Sequence, residues 1–260
     1  MIIDAHAHCG IYDRMPPQAF EDYLAAVKGS PIEGVAMFSP VAEIYDRDDP
    51  AFEDDAAWQK QRAASNAYLL TLENCEIAVY PYFFIWNDFA VDQLTDRHFG
   101  IKWHRHADEP VYHYDDPACA RAVEEIRRRN LPVVLEETLE NTVRFVNEIA
   151  EGVNVIIPHL GLLNGGYRAI AARGLWQNPN VYADTSLASP QEIMDYLEKY
   201  GTDRIFFGSD FPFGHPPAEL DKVMRLPVDE AARKAIAGDN VMRLWGLSDP
   251  VPPRDPAPDN

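Results

Sequence analysis

The sequence has 260 residues, of which 47% are hydrophobic and 25% are charged. This composition is ordinary for a folded globular protein and excludes a disordered or collagen-like chain, and the length suits one large α/β domain. The formal net charge of −19 argues against nucleic acid and anionic membrane surfaces as partners, because both bind through clustered lysine and arginine. We therefore expect a small-molecule substrate.

No uninterrupted apolar run reaches the ~18 residues that a membrane span requires, and the first residues pass directly into a predicted strand. We therefore expect a cytoplasmic protein. Cys9, Cys75 and Cys119 are odd in number and lack metal-binding spacing, which argues against a disulfide framework. Cys9 follows His8 and could reach a site, but a small buried thiol is the favoured interpretation.

Short apolar segments typical of β-strands alternate along the chain with segments patterned as helices. The predicted strands are Ile2–His6, Gly34–Ser39, Ile77–Trp86, Phe99–Trp103, Pro132–Glu136, Asn154–Pro158, Val181–Asp184 and Arg204–Ser209. The predicted helices are Pro17–Lys28, Phe52–Glu73, Pro117–Asn130, Leu139–Glu151, Tyr167–Arg173, Pro190–Tyr200 and Val228–Asp239. This alternation predicts parallel βαβ units, and eight of them predict a closed (β/α)8 TIM barrel in a single domain. An open doubly wound sheet is disfavoured because no glycine-rich phosphate turn follows the first strand.

The regions outside this alternation also have an expected place. We assign residues 1–248 to the barrel and residues 249–260 to a proline-rich C-terminal tail without periodicity. The acidic, irregular segment Pro40–Asp55 is predicted to form a loop over the barrel mouth. The segment Asp88–Arg97 is predicted to contain at most a short helix.

The first predicted strand carries His6 and His8 in a His-x-His pattern. Side chains two apart in a strand point to the same face, so the two imidazoles should lie together while Ala5 and Ala7 turn away. Imidazole is a common ligand for zinc and similar ions. The pattern alone is a weak signal, so a metal site requires further ligands downstream.

The later predicted strands also end in ionisable residues. They are the run Lys102 to His106 at the end of strand four, Glu136 and Glu137 at strand five, His159 at strand six, Asp184 at strand seven and Asp210 at strand eight. In a barrel, chemistry takes place at these carboxyl ends, and buried ionisable groups must pair or bind a metal. Two histidines and a carboxylate suffice to hold zinc or a similar divalent ion with an open position for water. Such an ion lowers the pKa of its water to about 7, and Asp210 or His159 could take the proton.

Three motifs, in this order, resemble the amidohydrolase superfamily. They are His-x-His at strand one, Pro158-His159-Leu160-Gly161 at strand six and Phe207-Gly208-Ser209-Asp210-Phe211-Pro212 at strand eight. The chain is most similar to the amidohydrolase-related branch, which includes metal-dependent hydrolases and decarboxylases of the aminocarboxymuconate-semialdehyde and resorcylate type. The resemblance extends to about Leu247, and residues 238–247 resemble the closing helix of the branch. It implies that His6 and His8 bind the metal, that Asp210 is a ligand from the opposite side, and that His159 is an acid/base or a ligand.

One departure concerns strand five, where the branch usually has a histidine ligand and this chain has Glu136. We therefore predict Glu136 as a metal ligand, with Glu137 as the fallback if the register differs by one residue. Together with Asp210 it would give a site of two histidines and two carboxylates. Zinc is the favoured ion, while manganese and magnesium also suit this donor set.

Strand four offers Lys102, and two interpretations of this lysine are open. Some amidohydrolases carry a carboxylated lysine here that bridges two metals, whereas we favour a lysine that binds a substrate carboxylate. The branch commonly has Gly-x-Lys-x-His at this point without a bridge, as in residues 100–104. Lys102, His104, Arg105 and His106 form the densest cationic cluster of an acidic chain, which favours an anionic substrate. A solvated loop would equally explain Arg105 and His106.

Two other polar positions have alternative explanations. Asn164 precedes Gly165 and Gly166 after strand six, and this segment either binds an anion or only forms a turn. Asp184 either contacts the substrate or is hydrogen-bonded within the barrel mouth.

These observations predict a metal-dependent hydrolase that uses a metal-activated water on a small, carboxylate-bearing substrate, at an amide, lactone or related C–N or C–O bond. A nonoxidative metal-dependent decarboxylase, a lyase on the same scaffold, is the first alternative. A barrel that binds metal or ligand without catalysis is the second. Because dimers are common in the branch, the resemblance also makes a homodimer an expectation.

Overall fold

Eight parallel strands form one sheet in the order of the sequence. A computed structural model of the protein describes residues 1–10, 19–39, 52, 54–74, 76–106, 109–249 and 251. The strands are β1 (Ile3–His8), β2 (Gly34–Phe38), β3 (Ala78–Phe84), β4 (Gly100–His104), β5 (Val133–Glu136), β6 (Val155–Ile157), β7 (Val181–Asp184) and β8 (Ile205–Phe206). Backbone hydrogen bonds from Ala5 to Phe207 (2.9 Å) and from His8 to Phe211 (2.8 Å) join the last strand region to the first. The prediction of a single (β/α)8 barrel is therefore confirmed.

Helices connect the strands around the outside of the barrel. They are α1 (Phe20–Val27), α2 (Ala56–Leu69), α3 (Pro117–Arg129), α4 (Leu139–Arg144), α5 (Tyr167–Ala172), α6 (Pro190–Tyr200), α7 (Pro216–Met224), α8 (Glu230–Lys234) and α9 (Asn240–Leu244). Their ends follow local rules: α3 begins after the capping side chain of Asp116 and ends at the left-handed Asn130, a residue type that tolerates this conformation. None of the helices described is long and apolar enough to cross a bilayer.

The predicted elements are found with altered ends. The strand predicted at Arg204–Ser209 pairs over only two residues, and the segment Asp88–Arg97 contains a single 3-10 turn at Val91–Gln93. Helix α7 was not predicted, although prolines at its first turn and the buried Leu220 and Val223 are helix signals. Residues 17–18, most of Pro40–Asp55, and residues 250 and 252–260 lie outside the described residues, so the tail and the lid loop stay predictions.

Alternate strand residues divide the core into two apolar layers. The outer layer, which includes Val133, Leu135 and Trp103, packs against the helices. The inner layer, which includes Tyr80 and Tyr82, fills the barrel. Trp245 stacks on Tyr80 with ring centroids 4.4 Å apart and covers the end where the strands begin. The polar end of the barrel is thus the opposite one, where the strands finish.

The first strand is irregular at the point that matters for the site. Its register against β2 shifts between Asp4 and Ala7, as at a β-bulge. Ala7 lies in the outer layer as predicted. Ala5 lies in the inner layer, which corrects the prediction that it turns away. The shift allows His6 and His8 to face the barrel interior above the inner layer.

Gly100 begins β4 where the inner layer leaves no room for a side chain. A Cβ atom there would lie 2.1 Å from Cε1 of Tyr82, a buried ring whose hydroxyl accepts a hydrogen bond from Trp245. We expect Gly100→Ala to lower the free energy of unfolding by about 1–3 kcal/mol, measured by urea denaturation. Gly34→Ala is the control because its Cβ would lie 3.1 Å from Tyr80, and an equal loss in the two variants would contradict this account.

His98 is a buried histidine outside the barrel mouth. Its Nδ1 accepts a hydrogen bond from the backbone of Thr95 (3.1 Å), and burial lowers the pKa of its imidazole to about 4, helped by Arg129 and Arg97. As pH falls below ~6.5, His98 becomes protonated in the unfolded chain but stays neutral in the native state. The free energy of unfolding therefore falls by about 1.4 kcal/mol per pH unit until the native pKa is reached.

The variant His98→Asn keeps an acceptor for Thr95 and removes this titration. We expect the stability of the wild type relative to the variant to fall by about 2 kcal/mol between pH 6.5 and pH 5, measured by urea denaturation at both values. Parallel pH profiles for the two proteins would contradict this expectation.

Candidate metal centre

His6, His8 and Asp210 converge at the carboxyl end of the barrel. The Nε2 atoms of His6 and His8 are 3.2 Å apart. Oδ1 of Asp210 lies 3.3 Å from each of them. All three side chains are buried. The first and last strands of the barrel thus bring together the two histidines and the carboxylate that the sequence analysis predicted.

The hydrogen bonds of the two histidines determine which nitrogen faces the centre. Nδ1 of His6 lies 2.8 Å from Oδ2 of Asp184, and Nδ1 of His8 lies 3.1 Å from the carbonyl oxygen of Ser39. Both partners accept, so each Nδ1 carries the proton and each Nε2 offers a lone pair. Burial, followed by the charge of Lys102, lowers the pKa of His6 to about 4 and that of His8 to about 3. Both rings are therefore neutral near pH 7, as metal ligands must be.

This arrangement fits a divalent ion. Two imidazole nitrogens and a carboxylate oxygen that face one another at 3.2–3.3 Å form a donor set that suits a cation. A tetrahedral zinc ion with bonds of about 2.0–2.1 Å separates its ligand atoms by about 3.3–3.4 Å. The observed spacing matches that value, and three ligands leave a fourth position open.

Asp184 supports the centre from the next strand. Its Oδ2 accepts from His6, and its Oδ1 accepts from the backbone nitrogen of His159 (3.0 Å) and from the hydroxyl of Ser186. Burial would raise the pKa of this carboxyl, but His6 and His159 lower it below its usual range. Asp184 therefore stays ionised and fixes the ring of His6, so of the two sequence-based interpretations the hydrogen-bonded one describes its contacts.

His159 follows β6 in an unusual backbone turn. His159, Leu160 and Gly161 have φ values of 55°, 49° and 85°, so three consecutive residues are left-handed, which is strained for the two that are not glycine. The turn places Nε2 of His159 4.0 Å from Oδ2 of Asp210. Nδ1 lies 2.8 Å from the Ser186 hydroxyl, which itself donates to Asp184. Nδ1 therefore carries a proton, and Nε2 faces the centre, with Oε1 of Glu136 3.9 Å away.

Lys102, His104 and Glu136 form a second group beside the first. The amine of Lys102 donates to Oε1 of Glu136 and lies 3.3 Å from Nε2 of His6. Nε2 of His104 lies 3.0 Å from Oε2 of Glu136. Burial would raise the pKa of Glu136, but His104 and the charge of Lys102 hold it well below its usual range. An ammonium suits Lys102 here, since a carboxylated lysine would place a second negative charge against Glu136.

Glu136 does not join His6, His8 and Asp210 as predicted. Among the described residues its carboxylate forms a potential ligand group with His104 and His106. His106 lies between Glu109 (3.2 Å) and Glu136 (3.8 Å). These carboxylates raise its pKa to about 9. The strands thus provide a centre of three donors, with Glu136 paired to Lys102 next to it.

Arg105 and Glu137 form a buried ion pair behind the site. Nη1 of Arg105 lies 2.8 Å from Oε2 of Glu137, and the guanidinium also donates to the carbonyl oxygens of Glu109 (2.9 Å) and Pro110 (3.0 Å). Arg105 is 2% exposed. The burial of Arg105 does not fit a solvated loop. Its donors and the carboxylate of Glu137 are engaged in this ion pair, and the substrate role of Arg105 and the fallback role of Glu137 stay predictions.

Asn164 is also held by the protein. Its side-chain nitrogen donates to the carbonyl oxygen of Leu135 (3.0 Å) and to the hydroxyl of Thr142 (2.9 Å), and the residue is buried. Of the two interpretations open from the sequence, the structural one describes these contacts, because the amide fastens the loop after β6 to the neighbouring strand and helix. Cys9 is buried as predicted.

The partners that orient the histidines, which are the carbonyl of Ser39 and the hydroxyl of Ser186, were not predicted from the sequence. The serine in Tyr182-Ala183-Asp184-Thr185-Ser186 follows a strand end and offered a signal. The carbonyl of Ser39 gave none, because every residue carries a backbone carbonyl.

A closed parallel barrel with two histidines on its first strand and an aspartate after its last is typical of metal-dependent barrel enzymes. The sequence profile described as Amidohydrolase matches residues 3–247, and the chain belongs to this family. A comparison with curated protein sequences finds no significant match.

Solved structures with the same fold are only distantly similar in sequence. A 2,6-dihydroxybenzoate decarboxylase from Rhizobium is 16% identical, with a TM-score of 0.67 and coverage of 95% of this chain and 99% of that one. A probable 2-pyrone-4,6-dicarboxylic acid hydrolase from Acinetobacter baumannii, with citric acid bound, is 13% identical, with a TM-score of 0.65 and the same coverage of both chains. An amidohydrolase from Burkholderia multivorans with bound zinc is 16% identical, with a TM-score of 0.68 and again the same coverage.

Proposed function

We propose that the protein is a metal-dependent hydrolase that acts on a small, carboxylate-bearing substrate at an amide, lactone or related C–N or C–O bond. The observation that carries the proposal is the spacing of His6, His8 and Asp210, whose three donor atoms lie 3.2–3.3 Å apart. The same three residues are the proposed metal ligands. Zinc is the proposed ion because two imidazoles and one carboxylate in this spacing suit its tetrahedral geometry.

When bound, the ion would supply an activated water and would polarise the carbonyl group of the substrate. The remaining steps fall to the side chains. Asp210 has one oxygen facing the two histidines, and its other oxygen lies 4.0 Å from Nε2 of His159. Burial raises the pKa of Asp210, and the oxygen that faces His159 is the proposed proton acceptor. Asp210 is thus proposed to accept the proton of the water through this second oxygen, and His159, whose Nε2 faces that oxygen, to relay it to the leaving group.

Lys102 and His104 are the proposed contacts for the substrate carboxylate. Both are buried at the mouth, and Lys102 pairs with Glu136. A substrate carboxylate would therefore bind by sharing this ammonium. Arg105 and Asn164, which the sequence analysis also assigned to substrate binding, are not part of the proposal because their donors contact the protein itself.

A nonoxidative decarboxylase is the second candidate. It is favoured by the similarity of the fold to the 2,6-dihydroxybenzoate decarboxylase, and by a lysine next to the centre that could hold the carboxylate that leaves. On this alternative, His159 or Asp210 would deliver a proton to the carbon that loses carbon dioxide.

One experiment separates these functions. The purified protein, loaded with zinc, is incubated with a panel of lactones and amides and with a panel of aromatic and enoic acids, while proton release, free amine and carbon dioxide are all measured. Proton release from a lactone or free amine from an amide supports the hydrolase, whereas carbon dioxide from an acid supports the decarboxylase. Stoichiometric zinc without turnover on either panel would favour a barrel that binds metal without catalysis.

A further inference from the structure

Asp4 is a buried carboxylate outside the proposed set of metal ligands. It lies on β1 two residues before His6 and is 0% exposed. Four groups donate hydrogen bonds to it: the backbone nitrogens of Ser209 (2.8 Å) and His6 (3.2 Å) to Oδ1, and the hydroxyls of Ser209 (2.6 Å) and Tyr23 (3.1 Å) to Oδ2. A charge buried this deeply is favourable only when its lone pairs are satisfied.

Three of these four bonds come from residues next to the proposed ligands. Ser209 immediately precedes Asp210, and the backbone nitrogen of His6 belongs to a ligand residue itself. The backbone of Asp210 also donates to the carbonyl oxygen of His6 (2.7 Å). Asp4 therefore joins the two chain segments that carry the proposed ligands beyond the end of β8 at Phe206, and it adds side-chain bonds to the backbone bonds that link these segments.

The conformation of Asp210 explains why it needs such support. Its φ is 55°, in the left-handed region that an aspartate adopts only at a cost of about 1–3 kcal/mol. The side chain of Ser209, the residue before Asp210, also bonds to the residue after it. The Ser209 hydroxyl donates to Asp4 and accepts a hydrogen bond from the backbone nitrogen of Phe211 (3.1 Å). Without the Ser209 hydroxyl, Asp210 would be held by its backbone bonds to His6, Phe213 and Gly214, and we expect its carboxylate to shift from the position 3.3 Å from both histidines.

We propose that Asp4 is a positioning residue that acts through Ser209 to set the place of the Asp210 carboxylate, and so the affinity of the centre for its ion. This inference rests on the proposed metal centre and extends it to a pair of residues outside the ligand set. Partners that orient ligands in this way typically change metal affinity by about 10- to 100-fold when removed.

The test compares two hydroxyl deletions that remove a donor from the same oxygen of Asp4. Ser209→Ala removes the hydroxyl next to Asp210. Tyr23→Phe removes a hydroxyl on α1 that donates to Asp4 but lies outside the chain around Asp210, and it keeps the ring that packs against Phe211 with centroids 5.5 Å apart. The dissociation constant for Zn²⁺ is measured on the full chain by competition with a chromophoric chelator, and urea denaturation of the metal-free proteins is measured in parallel.

We expect both variants to lose stability because each leaves Asp4 with one donor fewer. Only Ser209→Ala should weaken zinc binding, by about 10- to 100-fold, while Tyr23→Phe should bind zinc as the wild type does. If Ser209→Ala does not fold, Asp4→Asn replaces it. In Asp4→Asn the side-chain nitrogen donates to the Ser209 hydroxyl, which in the wild type donates to Asp4. This variant should also bind zinc more weakly than Tyr23→Phe does.

The outcomes separate this inference from the proposed function. Equal zinc affinity in all variants, or equal weakening by Ser209→Ala and Tyr23→Phe, would overturn the positioning role of Asp4 and leave the metal centre intact. A wild-type protein that binds no zinc would overturn the metal centre, and the inference with it.

Discussion

The variant Asp210→Asn is expected to lose both the ion and the activity while keeping the fold. The amide has nearly the shape of the carboxylate, but it carries no negative charge, so it is a poor ligand for zinc and no base at all. Any turnover found with the substrate panels should fall by about 10³-fold or more, and the zinc content of the purified protein should fall well below one equivalent. Activity and metal analysis on the same preparation check both expectations.

Asp221→Asn is the matched control for Asp210→Asn. Asp221 lies on the exposed face of α7 and pairs only with Arg225 among the contacts described for its side chain. This variant should keep the activity and the zinc content of the wild type. Full activity in Asp210→Asn, or an equal loss in the two variants, would contradict the assignment of Asp210 as ligand and base.

The variant Arg105→Met is expected to destabilise the protein strongly without touching the proposed ligands. It leaves the carboxylate of Glu137, which is 0% exposed, without its cationic partner. Removal of one partner from a buried ion pair costs about 3–5 kcal/mol, because the remaining charge stays out of water. Urea denaturation should show this loss, and the double variant Arg105→Met/Glu137→Gln should recover a large part of it.

Arg128→Met is the control for the ion pair. Arg128 is exposed on α3, where it pairs with Glu125, and exposed pairs contribute little to stability. If Arg105→Met lowers the free energy of unfolding as little as Arg128→Met does, other groups compensate the charge of Glu137. The buried pair would then not be what stabilises this part of the barrel mouth.

The strand order was predictable because it follows from alternation alone. Buried parallel strands are apolar on consecutive residues, and each must be joined to the next by a crossover, so the pattern shows in the sequence without any knowledge of packing. The ends of the strands were not predictable in the same way. β8 is short because residues 207–211 bond to the bulged part of β1, and that bulge depends on contacts between distant segments.

The sequence predicts which site residues lie together when they are on one strand, and it does so less well when they come from two strands. His6 and His8 lie on the same strand, so their spacing alone predicts that they lie together. The pairing of Glu136 depends on the register of β4 with β5, in which His104 lies opposite Glu136, and no local pattern sets that register. The burial of Arg105 depends likewise on how residues 109–112 fold back over it, which its own sequence neighbours do not determine.

The left-handed turn at His159, Leu160 and Gly161 limits where this barrel can be redesigned. An added Cβ at Gly161 would lie 2.9 Å from Ile170, and an inserted residue would rotate the imidazole of His159 away from the mouth. Library construction aimed at new substrates should therefore leave the β6 segment at its native length. Diversity is better introduced near exposed positions such as Val111 and Phe213, where side chains can vary without moving the backbone of the barrel.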